Sequence, residues 1–299
     1  MPTFPDNTFV QDSTTGEISV YRSGTFHWVS PPVIAKMGLS PSQITTVENA
    51  EYTLVPKGSD YFPDGIFVQN SQTGEISRYS AGAGHLVTVP IANKLGLTAP
   101  QMATITPAQY NIMPRGNDYI PDGWFVQNTL NGAISQYSDG ALHAVSPQVA
   151  GVLKLAPSQI VQIADDQYAN LPKANDYYPE GIYIVNQQTG DFSQYSGGQL
   201  HWLSPSVLSS VNPPQSQTVL ASAAQYNAIS KGNDYFPDGM FLQNAKTGEI
   251  SIYLLGQRHW ISGPVYSQMG LTASQLVSIS DAQYGAISRG TDYVPPASA

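Results

Sequence analysis

The chain contains no cysteine, which excludes a disulfide framework and a thiolate metal site. Charged residues make up only 11% of it, and its 12 lysines and arginines never cluster. No basic stripe is therefore present to meet a phosphate backbone, and nucleic acid is not an expected partner. The net charge of −9 and pI near 4.8 describe an acidic surface whose first consequence is solubility. No apolar run approaches the length that spans a bilayer, so membrane insertion is not expected. The first residues, Met1-Pro2-Thr3-Phe4-Pro5, lack a basic segment followed by an apolar one, so no signal peptide is expected here. The compartment stays open. Histidine is scarce too, at five residues, and the spacing of those five organises everything else.

His27, His85, His143, His201 and His259 stand 58 residues apart. The same step links Tyr21, Tyr79, Tyr137, Tyr195 and Tyr253, then Tyr52, Tyr110, Tyr168, Tyr226 and Tyr284, then Tyr61, Tyr119, Tyr177, Tyr235 and Tyr293. Such a period is the mark of a repeat architecture. Five repeats run over 4–61, 62–119, 120–177, 178–235 and 236–293, within a single repeat domain covering 1–299.

Each repeat reads as a sequence of short elements. In repeat two, Pro63-Asp64-Gly65 is turn chemistry that starts a strand. Ile66 to Asn70 is a β-rich run, Thr73-Gly74 a tight turn, and Glu75 to Tyr79 the return strand. A glycine loop ends at Gly82, and a third strand is expected to start at His85. Ser146-Pro147 in repeat three places a capping residue before a proline at the first helical position. Gly38, Gly96 and Gly270 fit helix C-termini, while Asn212-Pro213-Pro214 should stop the helix of repeat four early. A short apolar piece such as Thr104-Ile105 and a second helix carrying Tyr110 and Met113 complete the unit. The expected fold is mainly β with short helices, about three to four strands and two helices per repeat.

The two ends suggest closure. The N-terminus begins within the Tyr-Phe-Pro-Asp-Gly motif, and Asp292-Tyr293 supplies its first half at the other end. A five-bladed, propeller-like closed toroid is expected, because closure protects sheet edges. An open α+β solenoid is the alternative.

Gly248-Glu249-Ile250-Ser251-Ile252-Tyr253, Gly256-Gln257-Arg258-His259-Trp260-Ile261-Ser262 and Leu271 resemble tandem repeats of secreted bacterial cell-surface and cell-wall-associated proteins. That resemblance implies a binding or adhesion module. The repeat number and the Pro-Asp-Gly strand starts also resemble five-bladed lectins of the tachylectin type, an analogy at the level of fold.

Three sets of residues could carry chemistry. Tyr79 and His85 flank a glycine loop, and Ser77 lies two residues before Tyr79. Pairing would bring a Ser-Tyr-His cluster onto one face in every repeat. It would serve as a structural fixture in which the histidine donates to a carbonyl, or as a ligand contact, or least of all in catalysis, because no acidic column accompanies it. The second set is the junction: Asp60, Asp118, Asp176, Asp234 and Asp292, each followed by a column tyrosine and preceded by Lys57, Arg115, Lys173, Lys231 or Arg289. An ion pair pinning the loop, a sugar-binding carboxylate and a calcium ligand are the readings there. The third set is Trp28, Trp202 and Trp260, replaced by Leu86 and Ala144 in the middle repeats. These are packing residues or stacking platforms for a sugar. The Tyr52 column and Trp124 read as core.

Every polar column is repeated five times, whereas an enzyme site needs one asymmetric constellation. The sequence therefore points to a multivalent carbohydrate-binding protein, a lectin with up to five sites, without catalysis and without a required cofactor. Its partners would be glycans on cell surfaces or cell walls, and it could form a homo-oligomer. A scaffold binding a protein partner is the alternative, and a glycan-active enzyme the third reading.

Overall fold

A computed structural model describes residues 2–295. Met1 and the last four residues of the expected domain lie outside the described residues.

Repeat two shows the unit. Its first strand, Phe67–Asn70, pairs antiparallel with Ile76–Ser80, which pairs antiparallel with Ala83–Val87. A helix, Val89–Leu95, and a single 3-10 turn carry the chain over to a fourth strand, Met102–Ile105. This strand lies parallel to the first, with Val68 opposite Ala103. A crossover of that length is what parallel pairing requires. A second helix, Pro107–Ile112, ends the unit. The sheet order is thus third, second, first, fourth, and in the last three repeats a two-residue strand such as Ser230–Lys231 adds a parallel fifth member beyond the third. The histidine lies inside the third strand rather than at its start.

Side chains fix the turns. The Asn70 carboxamide oxygen accepts from the Gln72 amide at 2.9 Å, and Asn128, Asn186 and Asn244 do the same in their repeats. Between the second and third strands, Ala81 and Gly82 both have positive φ, 49° and 81°, the conformation of a type I′ hairpin turn. The Asp64 carboxylate accepts the Ala81 amide at 3.0 Å, and Asp6, Glu180 and Asp238 accept from the equivalent residues. The acid of Pro-Asp-Gly therefore holds a strained turn in place.

The longer helices stop where a left-handed residue can sit: Gly38 (φ 64°), Gly96 (φ 66°), Lys154 (φ 52°) and Asn212 (φ 45°). The helix of repeat four does not end early. It spans Pro205–Val211, seven residues like Pro31–Met37, because Asn212 adopts the left-handed conformation and the prolines lie beyond it.

The chain divides into two compact units, one with residues through Leu142 plus Pro157–Lys173, the other with His143–Ala156 plus residues from Ala174 on. Within each, the core is shared between neighbouring repeats. In the first unit, Val20, Val29 and Val33 of repeat one pack with Phe62, Val68, Ala103, Ile105, Tyr110 and Met113 of repeat two. In the second, Leu203 and Val207 of repeat four pack with Phe236, Leu242, Val277, Ile279 and Tyr284 of repeat five. The longer helix of one repeat lies against the fourth strand of the next. Repeat one keeps a smaller cluster of Val10, Tyr21, Phe26, Tyr52 and Val55, with Phe4 packed against it.

This arrangement overturns the closed five-bladed toroid. A propeller blade is an antiparallel meander packed face to face with its neighbours. Here five separate mixed sheets each carry a parallel pair, and the longer helix of one repeat packs on the fourth strand of the next. The chain is mixed α/β, with ten short α-helices among the described residues, rather than mainly β. The architectural likeness to five-bladed lectins has no propeller to rest on. Phe4, expected to complete a ring junction, instead packs on Tyr21 and Phe26 of its own repeat, with ring centroids 5.5 and 5.7 Å apart.

Candidate functional site

The strand register separates residues that the sequence places together. Ser77 opposes Leu86, Arg78 opposes His85, and Tyr79 opposes Gly84. Directly paired residues share a face and adjacent ones do not, so His85 lies on the opposite face from Ser77 and Tyr79. The expected Ser-Tyr-His cluster does not form. Ser77 instead points into the core, where its hydroxyl meets the Tyr110 hydroxyl at 2.8 Å. The same pair recurs in every repeat: Ser19 with Tyr52, Ser135 with Tyr168, Ser193 with Tyr226 and Ser251 with Tyr284. Burial drives the Tyr52 and Tyr284 hydroxyls to higher pKa.

The histidines make one contact in common. Nδ1 lies 2.7–2.9 Å from a backbone carbonyl 32 residues on: Ser59, Asn117, Asn175, Asn233 and Thr291. A carbonyl only accepts, so Nδ1 carries the proton. The ring fixes the junction loop just before the column aspartate. The loop runs so close that a Cβ placed on Gly58, Gly116, Gly232 or Gly290 would collide with the histidine Cε1. Repeat three has Ala174 at that position and keeps the His143 contact at 2.8 Å.

The junction aspartate is held from the following repeat. Gln109 Nε2 donates to Asp60 at 3.0 Å, Gln225 to Asp176 at 2.6 Å and Gln283 to Asp234 at 2.8 Å. The same glutamine accepts from the capping residue of its helix, as Gln283 does from Ser280. Sequence reasoning misses this glutamine column, although its constant offset of 49 residues from the aspartate is a signal for it. Asp118 differs, because burial and the nearby Asp166 charge raise its pKa.

In four of the five repeats the basic column does not pin the aspartate. Lys57, Arg115, Lys173 and Lys231 lie over the rings of Tyr52, Tyr110, Tyr168 and Tyr226, 3.4–4.5 Å from the centroids, a cation–π geometry. In repeat five Arg258 takes that place over Tyr284, and Arg289 pairs with Asp292 at 3.0 Å.

These elements leave a cleft between neighbouring repeats. Between repeats one and two it is lined by Arg22, His27, Ser59, Asp60, Tyr61, Phe62, Asp64, Tyr79 and Gly82, with a volume of about 250 Å³. Between repeats four and five, a cleft of about 500 Å³ is lined by the residues at the same nine positions: Ser196, His201, Asn233, Asp234, Tyr235, Phe236, Asp238, Tyr253 and Gly256. Gln194, Pro237 and Leu255 join them there. The histidine, the junction Asp-Tyr and the hairpin tyrosine thus come together, the histidine from one repeat and the hairpin tyrosine from the next. The columns His85, Asp118, Tyr119, Tyr137 and His143, Asp176, Tyr177, Tyr195 supply the same residues at the other two junctions. Five repeats give four such sets in this sequence. Tyr21 is buried against Phe4 and Phe26, and His259, Asp292 and Tyr293 have no hairpin tyrosine following them in the repeat order.

Trp28, Trp202 and Trp260 do not line either cleft. They stand opposite Ser19, Ser193 and Ser251, on the other face of the strand from the histidines. Burial, with Asp64 and Tyr61, raises the pKa of Tyr79, although Arg22 opposes the shift. Burial, then Asp238 and Tyr235, raises that of Tyr253. Both phenols stay protonated and can donate or accept. Arg22 lies over the Tyr61 ring at 4.7 Å. Among the described residues no group of three or more His, Asp or Glu could hold a metal ion, and no helix is long and apolar enough to cross a membrane.

No family model matches the chain and no curated protein matches it. Among solved structures, one titled as the periplasmic assembly from the ESX-5 inner membrane complex is 11% identical. The match covers 97% of this chain and 93% of that one, at a TM-score of 0.18. A structure of the EccB3 dimer from the ESX-3 core complex is 15% identical, over 96% and 98% of the two chains, at the same TM-score. A TM-score that low carries no argument about what this chain does.

Proposed function

We propose that the protein is a multivalent binding protein that takes saccharide units in the clefts between neighbouring repeats and acts by binding rather than turnover. One observation carries this reading: residues at the same nine positions line a cleft at two junctions, one in each compact unit. The lining suits a polyol. Asp60 and Asp64, or Asp234 and Asp238, accept hydroxyl protons. The Tyr79 or Tyr253 hydroxyl serves as donor or acceptor. Phe62 and Phe236 give an apolar wall for the C–H face of a pyranose. Shallow sites of this kind are individually weak and gain strength when several engage one polymer.

Calorimetry and NMR titration with a panel of methyl glycosides and cell-wall oligosaccharides test the proposal. More than one equivalent of ligand should bind per chain. Tyr79→Phe should weaken binding at the first junction alone, and Tyr253→Phe at the fourth alone. A single site per chain, or affinities untouched by both substitutions, would overturn the reading.

A further inference from the structure

The fourth junction has a feature that its polar lining leaves unexplained. A second hollow of about 410 Å³ adjoins the cleft and shares Asn233, Asp234, Phe236, Tyr253 and Gly256 with it. Its remaining wall comes from Gly232 and from the short helix Asp281–Ala286 with the residues after it: Ala282, Gln283, Ala286, Ile287 and Ser288. The helix face turned to this hollow is alanine at both exposed positions, and Ile287 closes the floor as a buried side chain. Asp234 stands in the wall shared by both halves, with one carboxylate oxygen held by Gln283 at 2.8 Å.

We propose that this junction binds a saccharide carrying an apolar substituent, the sugar in the polar half and the alkyl or aryl group against Ala282, Ala286 and Ile287. The proposal rests on the saccharide reading of the clefts and adds the class of ligand that one of them selects.

Differences between repeats give the argument its direction. The position of Ala286 holds Leu54, Ile112, Asn170 and Ala228 in the other repeats, and that of Ala282 holds Ala50, Ala108, Asp166 and Ala224. At the first junction, Ile112 is 63% exposed and stands where the hollow would open. At the second, Asp166 and Asn170 make the same wall polar. Only repeats four and five have small apolar side chains at both positions. The small apolar residues of the annex thus occur at the last two junctions and the sugar-contacting residues at all four. A ligand with a polar head and an apolar tail fits the contiguous pair of hollows better than a free sugar does, because its tail leaves water against Ile287 and the alanines.

Methyl and octyl β-glycosides of glucose, galactose, mannose and N-acetylglucosamine, used below their micellar concentrations, are the probes, with 1-hexanol as a sugarless control. Chemical shifts of His201 and Asp238 report the polar half, and those of Ala286 and Ile287 the apolar half. At least one octyl glycoside should bind this junction about tenfold or more tightly than its methyl counterpart. Ala286→Ile, which copies repeat two, should abolish that preference and leave the methyl glycoside affinity unchanged. Ile112→Ala should create the preference at the first junction. Equal binding of the octyl and methyl forms, or a preference that survives Ala286→Ile, overturns the proposal while the saccharide reading stands. If no methyl glycoside shifts His201 or Asp238 and 1-hexanol alone reproduces the octyl response at Ile287, the saccharide reading fails and this proposal fails with it.

Discussion

Val207 and Val265 occupy the same helix position one repeat apart, in different surroundings. Val207 is fully buried, as are Val33, Ile91 and Val149 in the earlier repeats, because the fourth strand of the following repeat lies over each. Val265 is only half-buried. The strands that receive these helices show the complementary difference. Ala103, Val161, Val219 and Val277 are buried at the centre of their strands, whereas repeat one has Thr45 there, exposed. Repeat one also has Glu51 where the others carry the aspartate-holding glutamine. Thr45 and Glu51 make repeat one more polar at these two positions than the later repeats are. The stability of a given residue in this protein is therefore set by its neighbour repeat as much as by its own.

The comparison can be broken most directly at the valines. Val207→Ala should cost about 2 kcal/mol through lost burial and a cavity, and Val265→Ala under about 1 kcal/mol, both read from urea unfolding. Equal costs would mean that the neighbouring strand contributes nothing. A smaller effect should fail to distinguish the repeats. Ser193→Ala and Ser251→Ala each remove the serine partner of a buried tyrosine hydroxyl within a single repeat. Each should cost about 1–2 kcal/mol, and Tyr284→Phe added to Ser251→Ala should recover part of that loss. Unequal costs for the two serines would show that position along the array reaches even these internal pairs.

The smallest effect is electrostatic. Asp118, with its raised pKa, binds a proton in the folded state at a pH where the unfolded chain has lost it. Stability therefore falls as pH rises through the carboxylate range and is gained back on acidification. Asp12 and Asp281 have lowered pKa values and act in the opposite sense, their contribution being lost as pH falls through those values. Asp118→Asn should raise the neutral-pH stability by under about 1 kcal/mol, since the group is partly exposed and screened. Thermal midpoints compared between about pH 4 and pH 7 should converge at the acid end. A gap that widened there would reverse the assigned sign.

Much of this was legible in the residues. The 58-residue columns marked three strands, a short fourth one, two helices and several glycine stops in the unit, though not the two-residue fifth strands, and they named the histidines, aspartates and tyrosines that meet in the clefts. What they could not show was parity. Reading Tyr79 as the partner of His85 instead of Arg78 shifts the pairing by one residue, and one residue moves a side chain to the other face. The parallel fourth strand was hidden because four residues such as Met102–Ile105 carry no sign of direction. Ring closure misled because a motif divided between the two ends says nothing of sheet topology, and it is the separate mixed sheets that exclude a propeller. A compensated exchange was also present in the sequence: Asp12 with Asn49 in repeat one, Asn128 with Asp165 and Asn244 with Asp281 later, each pair joined by a hydrogen bond of 2.6–2.9 Å.

The hydrophobic cores that join repeat one to two, two to three and four to five also bear on how each compact unit would respond to being pulled. Force applied across one unit would have to part such a core before a repeat could unravel. Each repeat of 58 residues would then release roughly 200 Å of slack.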